Sequence, residues 1–391
     1  MKLLSYLSKI PRQFFKYLTP LFPLRNKAIF DNFGGRGFGD NPKYVSLELH
    51  RQSPKTKIFW ILDKNLAASE SLPPFIKPLY PDSTMFYCHL GTAKVWVSNV
   101  RDYYYQMRKK RKGQFYLQTW HGFGPGKKIE KDAEQYLSQS YIRLAKKDSK
   151  ITDIVIANSE LNRKIFQDSY WYDGKIFCCE APRCDILFNL SQQGDIKNKL
   201  NIKKEKLCLY APTFRKDGQL KSYNIDYDAL KDCLEKKFGG TWKIAIRLHP
   251  NLADKTNALK VPKNVLDLTL YPDMQELLAI SDLLITDFSS CMHDFSVTNR
   301  PVFLYAPDYD TYLKSEREMY VDPRTFPFPL AKSNKELKEL ISKFDQKKYI
   351  QELKTFSKKT SIYTGKNGSE KVAKILTEHI YNQKDILKSK N

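Results

Sequence analysis

A histidine and a glycine-rich loop stand together in the first half of the chain. His121 follows the strand-like run 114–119 and precedes glycines at every second position from 122 to 126. Glycine lets the backbone approach a ligand closely. Imidazole titrates near neutral pH, so His121 is suited to remove a proton from an attacking hydroxyl. Gly122, Lys127 and Lys128 would then border an anionic acceptor, while the alternative is a turn with a structural histidine.

An arginine and a histidine end a strand pattern in the second half of the chain. Residues 243–248 predict a strand, and alternation places the side chains of Arg247 and His249 on the same face. Such a pair at the carboxyl end of a strand fits phosphate binding and proton delivery to a leaving group. The alternative for His249 is a strand-edge histidine bonded to backbone. Arg215, in a basic loop after the predicted strand 207–211, either faces the same ligand or lies in a solvated turn.

A short run of hydroxyl-bearing residues follows an apolar strand pattern. A helix pattern begins directly after this run, so the run presents free backbone N–H groups at a helix N-terminus, where the helix dipole also favours an anion. Hydroxyl groups add further donors. The alternative is helix capping alone, and the two interpretations are compatible. The candidate residues are Thr286, Asp287, Ser289 and Ser290.

Other common active-site patterns are absent from the sequence. It contains no P-loop, no HExxH and no GxSxG motif, and the glycines at 34, 35, 37 and 39 do not form a GxGxxG dinucleotide fingerprint. The spacing of Asp308 and Asp310 resembles a metal motif, but it falls in an expected loop beyond the pocket. We therefore expect no cofactor and no essential metal.

The composition constrains the partners and the compartment. The 391 residues carry a formal net charge of +23, which favours a polyanionic partner such as an anionic membrane or a phosphate-rich substrate. No RNP-like aromatic pattern, zinc finger or recognition helix accompanies this charge, so nucleic acid is not an expected partner. The seven cysteines are an odd number without a CxxC pair, and they predict a reducing compartment.

The elements that must position these residues alternate between strands and helices. Strand-like apolar runs separate helix-period stretches, which predicts parallel α/β sheets with crossover helices. The polar, lysine-rich stretch 190–206 divides the strands into two groups. Two α/β units around a cleft would bring the carboxyl ends of their strands to one ligand. Residues from 332 onward are expected to be helical and basic.

The N-terminal residues 1–27 have a pattern of their own. They contain six basic residues and no acidic residue, and Leu3, Leu7, Ile10 and Phe14 recur at helical spacing. A basic amphipathic segment can lie in the plane of an anionic membrane surface. The alternative is a helix packed on the protein's own body.

A series of short motifs follows in order along residues 26–377. They are GFGDNPK (37–43), AKVWVSN (93–99), QTWHG (118–122), APRCD (181–185), APTFR (211–215), RLHP (247–250), SDLLITDFSS (281–290) and NRPV (299–302). Together they resemble the CDP-glycerol:polyglycerophosphate glycerophosphotransferases, the enzymes of wall teichoic acid synthesis. The segment 123–128 is one residue longer than the usual family pattern, which leaves the acceptor open.

The resemblance implies a GT-B-like fold, in which two Rossmann-like domains face each other across a cleft. We expect a membrane-surface segment at 1–27, an acceptor-side domain at 28–190, a CDP-donor domain at 204–378 and a basic frayed tail at 379–391. The resemblance also implies CDP-glycerol or CDP-ribitol as the donor and a polyprenyl-linked acceptor. The expected location is peripheral, at the cytoplasmic face of the bacterial cell membrane.

The resemblance also assigns roles to residues. The two important histidines of the family match His121 and His249, and its donor-phosphate loop matches 286–290. The expected reaction is attack of an acceptor hydroxyl on the β-phosphorus of the donor with release of CMP. His121 is the expected general base, and His249 and the loop 286–290 are expected to stabilise charge on the pyrophosphate. Arg247 and Arg215 are expected to assist. The alternatives are a nucleotide-sugar GT-B glycosyltransferase and a non-catalytic membrane-bound scaffold. The sequence does not set the polyol, the number of units added or the oligomeric state.

Overall fold

A computed structural model describes residues 19–65, 71–102, 104–106, 109–122, 124, 126–215, 223–248, 261–315 and 318–381. His249, residues 1–18 of the expected membrane-surface segment and residues 382–391 of the expected tail lie outside these ranges. Within them, no helix combines the length and the apolar character needed to cross a bilayer.

The first half of the molecule is built on a parallel sheet of seven strands in the order β3-β2-β1-β4-β5-β6-β7. Helices cover both faces of such a sheet, which explains why its strands are continuous apolar runs rather than alternating ones. The strands are β1 (Arg25–Phe30), β2 (Lys57–Ile61), β3 (Ile76–Leu79), β4 (Ala93–Ser98), β5 (Phe115–Gln118), β6 (Ile154–Ala157) and β7 (Lys175–Cys178).

The second half is built on a parallel sheet of six strands in the order β10-β9-β8-β11-β12-β13. The residues of its central strand β11 are all buried, so this strand forms the middle of the second core. The strands are β8 (Lys206–Tyr210), β9 (Trp242–Ile246), β10 (Leu266–Asp267), β11 (Leu283–Thr286), β12 (Val302–Tyr305) and β13 (Leu330–Ala331).

Twelve α-helices connect and cover these strands within the described ranges. They are α1 (Asp40–Gln52), α2 (Thr84–Thr92), α3 (Gln139–Ile151), α4 (Glu160–Ser169), α5 (Leu190–Lys199), α6 (Tyr227–Phe238), α7 (Met274–Ile280), α8 (Cys291–Ser296), α9 (Tyr309–Ser315), α10 (Asn334–Ser342), α11 (Gln346–Thr360) and α12 (Gly368–Tyr381). The last helix returns to the first half. It packs on α1 and β4, and its Val372, Leu376 and Ile380 belong to the core of the first sheet.

Each sheet reverses its direction of winding beside its first strand. Strands β2 and β4 both neighbour β1, and strands β9 and β11 both neighbour β8. A crevice forms outside the carboxyl ends of the strands where the winding reverses, and ligands of open α/β sheets bind there. A ligand site is therefore expected at the loops after β1, β4 and β5 and at the loops after β8, β9 and β11.

The α/β class and the division of the strands into two groups are confirmed. Three predicted strands match β6, β11 and β12 residue for residue. The sequence pattern missed β3, which contains a lysine and a proline, and α2, whose apolar residues have no clear period. The polar stretch 190–206 begins with helix α5, which Asn189 caps by accepting a hydrogen bond from the N–H of Gln192. The expected domain boundaries stay predictions.

Buried charges join the two halves. Lys43 in α1 places its Nζ 2.6 Å from the carboxylates of both Asp273 and Glu276, and the hydroxyl of Tyr44 donates to Asp273 at 2.7 Å. A lysine this deeply buried is stable only when carboxylates compensate its charge. The first turns of α1 and α7 are therefore held together across the junction.

Candidate active site

The candidate residues leave the carboxyl ends of strands next to the two reversal points. His121 lies three residues beyond the end of β5, and Arg247 directly follows β9. The hydroxyl-rich loop begins at the last residue of β11, and Arg215 lies in the loop after β8. In both sheets these residues therefore lie at the carboxyl ends of the strands, where open α/β sheets bind ligands.

His121 has a fixed tautomer. Its Nδ1 lies 2.6 Å from the carbonyl oxygen of Asn99, and because a carbonyl only accepts, Nδ1 carries the hydrogen and donates it. In the neutral ring, Nε2 is then a bare acceptor. The rings of Phe33 and Trp120 contact the imidazole, with ring centroids 5.2 and 4.4 Å away. This arrangement suits a general base that receives its proton at Nε2.

The surroundings of His121 also set its charge. Burial lowers the pKa of the imidazole and is the largest influence. The hydrogen bond to Asn99 and the carboxylate of Asp40 oppose that shift, while the positive charge of Arg183 adds to it. Because the resulting pKa lies below the ordinary value of 6.5, the ring is neutral and ready to accept a proton at neutral pH.

The loop after β1 supports the base. The hydroxyl of Ser98 donates to the buried carboxylate of Asp31 at 2.8 Å, which ties the ends of β1 and β4 together. The N–H of Phe33 donates to Oδ1 of Asn99 at 2.8 Å. Phe33 has φ of 46°, a left-handed conformation that costs free energy for a residue with a side chain. These bonds hold the Phe33 ring against His121.

A buried arginine connects His121 to the second half of the molecule. Nη1 of Arg183 donates to the carbonyl oxygen of His121 at 2.5 Å and lies 2.8 Å from the carboxylate of Asp40. Nη2 lies 2.8 Å from the carboxylate of Asp294, in α8. Helix α8 begins directly after Ser290, so a single guanidinium joins the backbone of the base to the helix that follows the hydroxyl-rich loop.

The hydroxyl-rich loop has a buried part that serves the fold. The hydroxyl of Thr286 donates to the carbonyl oxygen of Ala211 at 2.7 Å. The carboxylate of Asp287 accepts from the N–H of Thr213 at 2.9 Å and pairs with Arg215 at 2.8 Å. Both residues therefore anchor the loop to the end of β8. Direct contact of Thr286 or Asp287 with a donor phosphate stays a prediction.

Ser289 and Ser290 form the partly exposed part of the loop. Over the described ranges, their backbone N–H groups donate to no protein acceptor. Ser290 also makes no side-chain capping bond to α8. Helix capping, the alternative that the sequence left open, therefore does not explain Ser290. This pair is the part of the loop that presents available donors.

Arg215 is a support beneath that loop. Its guanidinium pairs with the carboxylate of Asp287 at 2.8 Å and with that of Asp308 at 2.6 Å, and it lies 4.5 Å from the centroid of the Tyr312 ring. Two carboxylates already compensate its charge. Phosphate binding by Arg215 stays a prediction, and Asp308 is occupied by this arginine.

Arg247 is in a different electrostatic position. Its Nη2 donates to the carbonyl oxygen of Tyr271 at 3.1 Å, and no carboxylate in the described part of the chain lies within ion-pair distance. Burial lowers the pKa of its guanidinium, against the smaller opposing influence of Asp273 and Cys291. A partly buried cation without a paired anion is costly, and Cys291 is the first residue after the hydroxyl-rich loop. An anion bound at the loop would compensate this charge.

The glycine-rich loop crosses to the second half. Lys127 forms an antiparallel bridge with Met319, and the N–H of Lys128 donates to the carbonyl oxygen of Glu318 at 2.8 Å. Nζ of Lys128 also pairs with the Glu318 carboxylate. The two lysines expected on the acceptor side are thus part of a strap between the halves. Acceptor contact by Gly122, Lys127 and Lys128 stays a prediction.

Gly124 packs without space for a side chain. It has φ of 83°, and a Cβ at this position would lie 2.4 Å from Cδ2 of His293. Burial lowers the pKa of the His293 imidazole to about 3, and among the residues that the structure describes neither ring nitrogen has a hydrogen-bond partner. The neutral ring is stacked 6.0 Å from Phe356 and forms an apolar wall under the loop.

The sequence pattern assigned no separate role to Arg183, Asp40 or Asp294. The available signal was Arg183 among the apolar residues of the segment 181–187, which also contains Asp185, since an arginine buried there needs carboxylates beside it. Its partners could not be inferred, because Asp40 and Asp294 lie far away along the chain and become neighbours only in the folded molecule.

The two parallel sheets and the site at their facing edges define a GT-B-like fold. The chain belongs to the family described as CDP-Glycerol:Poly(glycerophosphate) glycerophosphotransferase, whose family model matches residues 14–378. The family resemblance inferred from the motifs is therefore confirmed.

The region that matches this chain covers different shares of the relatives' own lengths. The chain is 29% identical over 343 residues to a teichoic acid poly(glycerol phosphate) polymerase of Staphylococcus epidermidis, covering 82% of this chain and 46% of that protein. It is 30% identical over 370 residues to a teichoic acid glycerol-phosphate transferase of Staphylococcus aureus, covering 88% of this chain and 91% of that protein. The chain spans about half the length of the first curated relatives it matches.

The solved structure of the wall teichoic acid polymerase TagF has the same fold. It superposes with a TM-score of 0.81 and 26% identity and covers 96% of this chain and 95% of that chain. A TagF variant soaked with CDPG superposes with a TM-score of 0.80 and 25% identity, covering 95% of this chain and 94% of that chain.

Proposed function

We propose that the chain transfers a polyol phosphate, with glycerol phosphate as the first candidate, from a CDP-activated donor to a hydroxyl group of a lipid-linked cell-wall or capsule polymer. The observation that carries this proposal is the tautomer of His121, whose Nδ1 is committed to the Asn99 carbonyl and whose Nε2 is left to accept a proton. Family membership and the activities of the related teichoic acid polymerase and transferase support this choice of donor and acceptor.

The proposed step is a single displacement at the β-phosphorus of the donor. The acceptor oxygen forms a new bond to that phosphorus and gives its proton to Nε2 of His121. The bond between the β-phosphorus and the oxygen that bridges to the α-phosphorus breaks, and CMP leaves with that electron pair. Positioning and charge stabilisation supply most of the catalysis in such phosphoryl transfers.

The donor pyrophosphate is proposed to bind between Arg247 and the N–H groups of Ser289 and Ser290. Arg247 is partly buried without a paired carboxylate among the described residues, and its charge would be compensated by the pyrophosphate. His249, which lies outside the described residues, is proposed to help stabilise charge on the pyrophosphate. No essential metal or cofactor is proposed, and retention of activity in EDTA is the direct test.

A ligand screen by thermal shift tests the donor class. CDP-glycerol, CDP-ribitol, UDP-glucose and CMP are added separately, each at the same concentration. Binding to the folded state raises the Tm by mass action, so we expect a CDP-polyol and CMP to stabilise the protein and UDP-glucose to have no effect. Stabilisation by the UDP-sugar alone would favour a nucleotide-sugar transferase and refute the phosphotransferase. Stabilisation by none of the four would favour a scaffold.

The location is proposed to be the cytoplasmic face of the bacterial membrane, with peripheral attachment through the part of the expected segment 1–27 that precedes β1. Leu21 and Phe22 are 79% and 52% exposed, and Arg111 holds this segment by donating to the carbonyl oxygens of Pro20 and Phe22. Exposed apolar side chains beside basic residues suit an anionic lipid surface. All seven cysteines are free thiols, which fits a reducing compartment.

Vesicle flotation tests this attachment. The full chain should float with vesicles that contain anionic lipid and should be released by high salt. Leu21→Ser with Phe22→Ser is expected to weaken flotation, and deletion of residues 1–22 is expected to abolish it. Undiminished flotation of the deletion variant would refute membrane attachment through this segment.

A further inference from the structure

We propose that Arg183 is a positioning residue of the transfer reaction, which sets the separation between the base His121 and the donor-phosphate loop at Ser289 and Ser290. The inference rests on the proposed function and assigns to Arg183 a role outside direct substrate contact. Its guanidinium bonds the backbone of the base on one side and helix α8, which follows the loop, on the other.

The contacts of Arg183 are short and come from both halves. The residue lies in the 3-10 helix Pro182–Phe188, in the connection between the two sheets, and is 3% exposed. Nη1 reaches Asp40 at 2.8 Å and the carbonyl oxygen of His121 at 2.5 Å. Nη2 reaches Asp294 at 2.8 Å. The planar fork of an arginine directs separate N–H groups at these acceptors on opposite sides, whereas the compact ammonium of a lysine cannot reproduce this geometry.

Asn41 completes this arrangement around the end of β5. The backbone N–H of Arg183 donates to Oδ1 of Asn41 at 3.1 Å, and Nδ2 of Asn41 donates to the carbonyl oxygen of Trp120 at 3.0 Å. The carbonyls of Trp120 and His121 are therefore held by two linked side chains. Trp120 has φ of 53°, and such a strained backbone persists only where surrounding contacts fix it.

Asp294 fixes the other end of the link. Its Oδ2 accepts hydrogen bonds from Arg183 and from Nε2 of Gln275, the latter at 3.1 Å. Burial raises the pKa of the Asp294 carboxyl, and Arg183 is the largest opposing influence. Loss of Arg183 would leave this carboxylate buried without its cation, so α8 would shift or Asp294 would take up a proton.

Lys43 provides a matched control, because its replacement also removes a buried ion pair between the two halves of the molecule. It is also buried, and it also pairs a residue of α1 with carboxylates of the second half. It makes no contact with His121 among the interactions described for it. Lys43→Met should therefore lower the Tm, as the Arg183 variants are also expected to do, without changing the properties of the base.

The kinetic test compares Arg183→Lys, Asp294→Asn and Lys43→Met in CMP release from CDP-glycerol. A displacement of about 1 Å costs on the order of 100-fold in rate, so we expect kcat of Arg183→Lys and Asp294→Asn to fall by that order. The KM for CDP-glycerol should change by less than about threefold, because the donor contacts remain. Wild-type kcat in Arg183→Lys, or equal kcat losses in Lys43→Met, would overturn the proposal.

An NMR titration of the His121 imidazole gives a readout that a purely structural role would not move. The charge of Arg183 lowers the pKa of His121 and that of Asp40 raises it, so Arg183→Met should raise this pKa and Asp40→Asn should lower it. Lys43→Met should leave it unchanged. Equal pKa values in all these variants would contradict the proposal. If the wild type released no CMP, the proposed function would fail, and this titration would still test the link.

Discussion

Replacement of Arg247 by methionine tests two effects of its charge: the loss of stability in the free protein and the gain in affinity for the donor. In the free protein, Arg247 donates to the carbonyl oxygen of Tyr271 at 3.1 Å and has no carboxylate within ion-pair distance in the described part of the chain. Methionine replaces the aliphatic part of the arginine side chain and carries no charge. Because burial disfavours the charged guanidinium, the Tm of unliganded Arg247→Met should not fall.

The donor-bound state should respond in the opposite direction. A hydrogen bond to a charged group contributes about 1.5–3 kcal/mol, which corresponds to a roughly 10- to 150-fold weaker Kd. Calorimetric titration with CDP-glycerol measures this loss, and the Tm shift caused by the donor should shrink with it. A Kd equal to that of the wild type would refute the assignment of Arg247 to the donor pyrophosphate.

Arg300 is the matched control for Arg247. It is another arginine without a carboxylate at ion-pair distance within the described ranges, and burial lowers its pKa to about 10. It precedes β12 and therefore lies at the amino ends of the strands, whereas Arg247 lies at their carboxyl ends. There it donates to the carbonyl oxygen of Ala279 at 3.0 Å. Unlike Arg247, Arg300 also donates to the hydroxyl oxygen of Thr298 at 2.9 Å and to the carbonyl oxygen of Ser281. Methionine cannot make these bonds, so Arg300→Met should lower the Tm and leave the Kd for CDP-glycerol unchanged.

Three further predictions concern His121, Gly124 in the loop after it, and His293, which packs against that loop. Because the pKa of His121 in the free protein lies below 6.5, kcat/KM should be constant near neutral pH and fall as the pH drops through that lowered value; a profile of kcat/KM with an acid limb above pH 6.5 would contradict this. Gly124→Ala should reduce the free energy of unfolding by about 1–3 kcal/mol, measured in urea, because its Cβ would meet His293, and His293→Ala in the same chain should recover part of the loss. The imidazole of His293 takes up a proton near pH 6.5 in the unfolded chain but only near pH 3 in the folded protein. As the pH falls from 6.5 to 3, the free energy of unfolding of the wild type should therefore decrease relative to His293→Leu by about 1.4 kcal/mol per pH unit. Parallel curves of stability against pH for the two proteins would show that His293 does not titrate in this way.

The sequence was most informative where a local pattern determines the structure. Continuous apolar runs located β6, β11 and β12, and the alternation of strands and helices indicated two parallel sheets. The pattern was least informative for β3, which contains Lys77 and Pro78 and is defined by its pairing with β2 rather than by its own residues.

The site shows the same division between local and long-range information. His121 and Arg247 follow strand ends and could be proposed from position and residue type. The roles of Thr286 and Asp287 as anchors, and of Lys128 as part of a strap, depend on partners that lie far away in the sequence. Hydrogen-bond partners across two sheets are set by the tertiary structure, which is why composition and spacing did not separate ligand-facing groups from supporting ones.

The most direct test of the central claim is the rate of CMP release from CDP-glycerol in the presence of a lipid-linked acceptor, compared between wild type, His121→Ala and His50→Ala. His50 is a matched control, because it stacks on Phe75 at 3.7 Å in the first half and has no part in the site. Loss of a general base typically costs about 100- to 10,000-fold, so we predict that loss for His121→Ala and an unchanged rate for His50→Ala. Wild-type CMP release by a folded His121→Ala protein would contradict the claim.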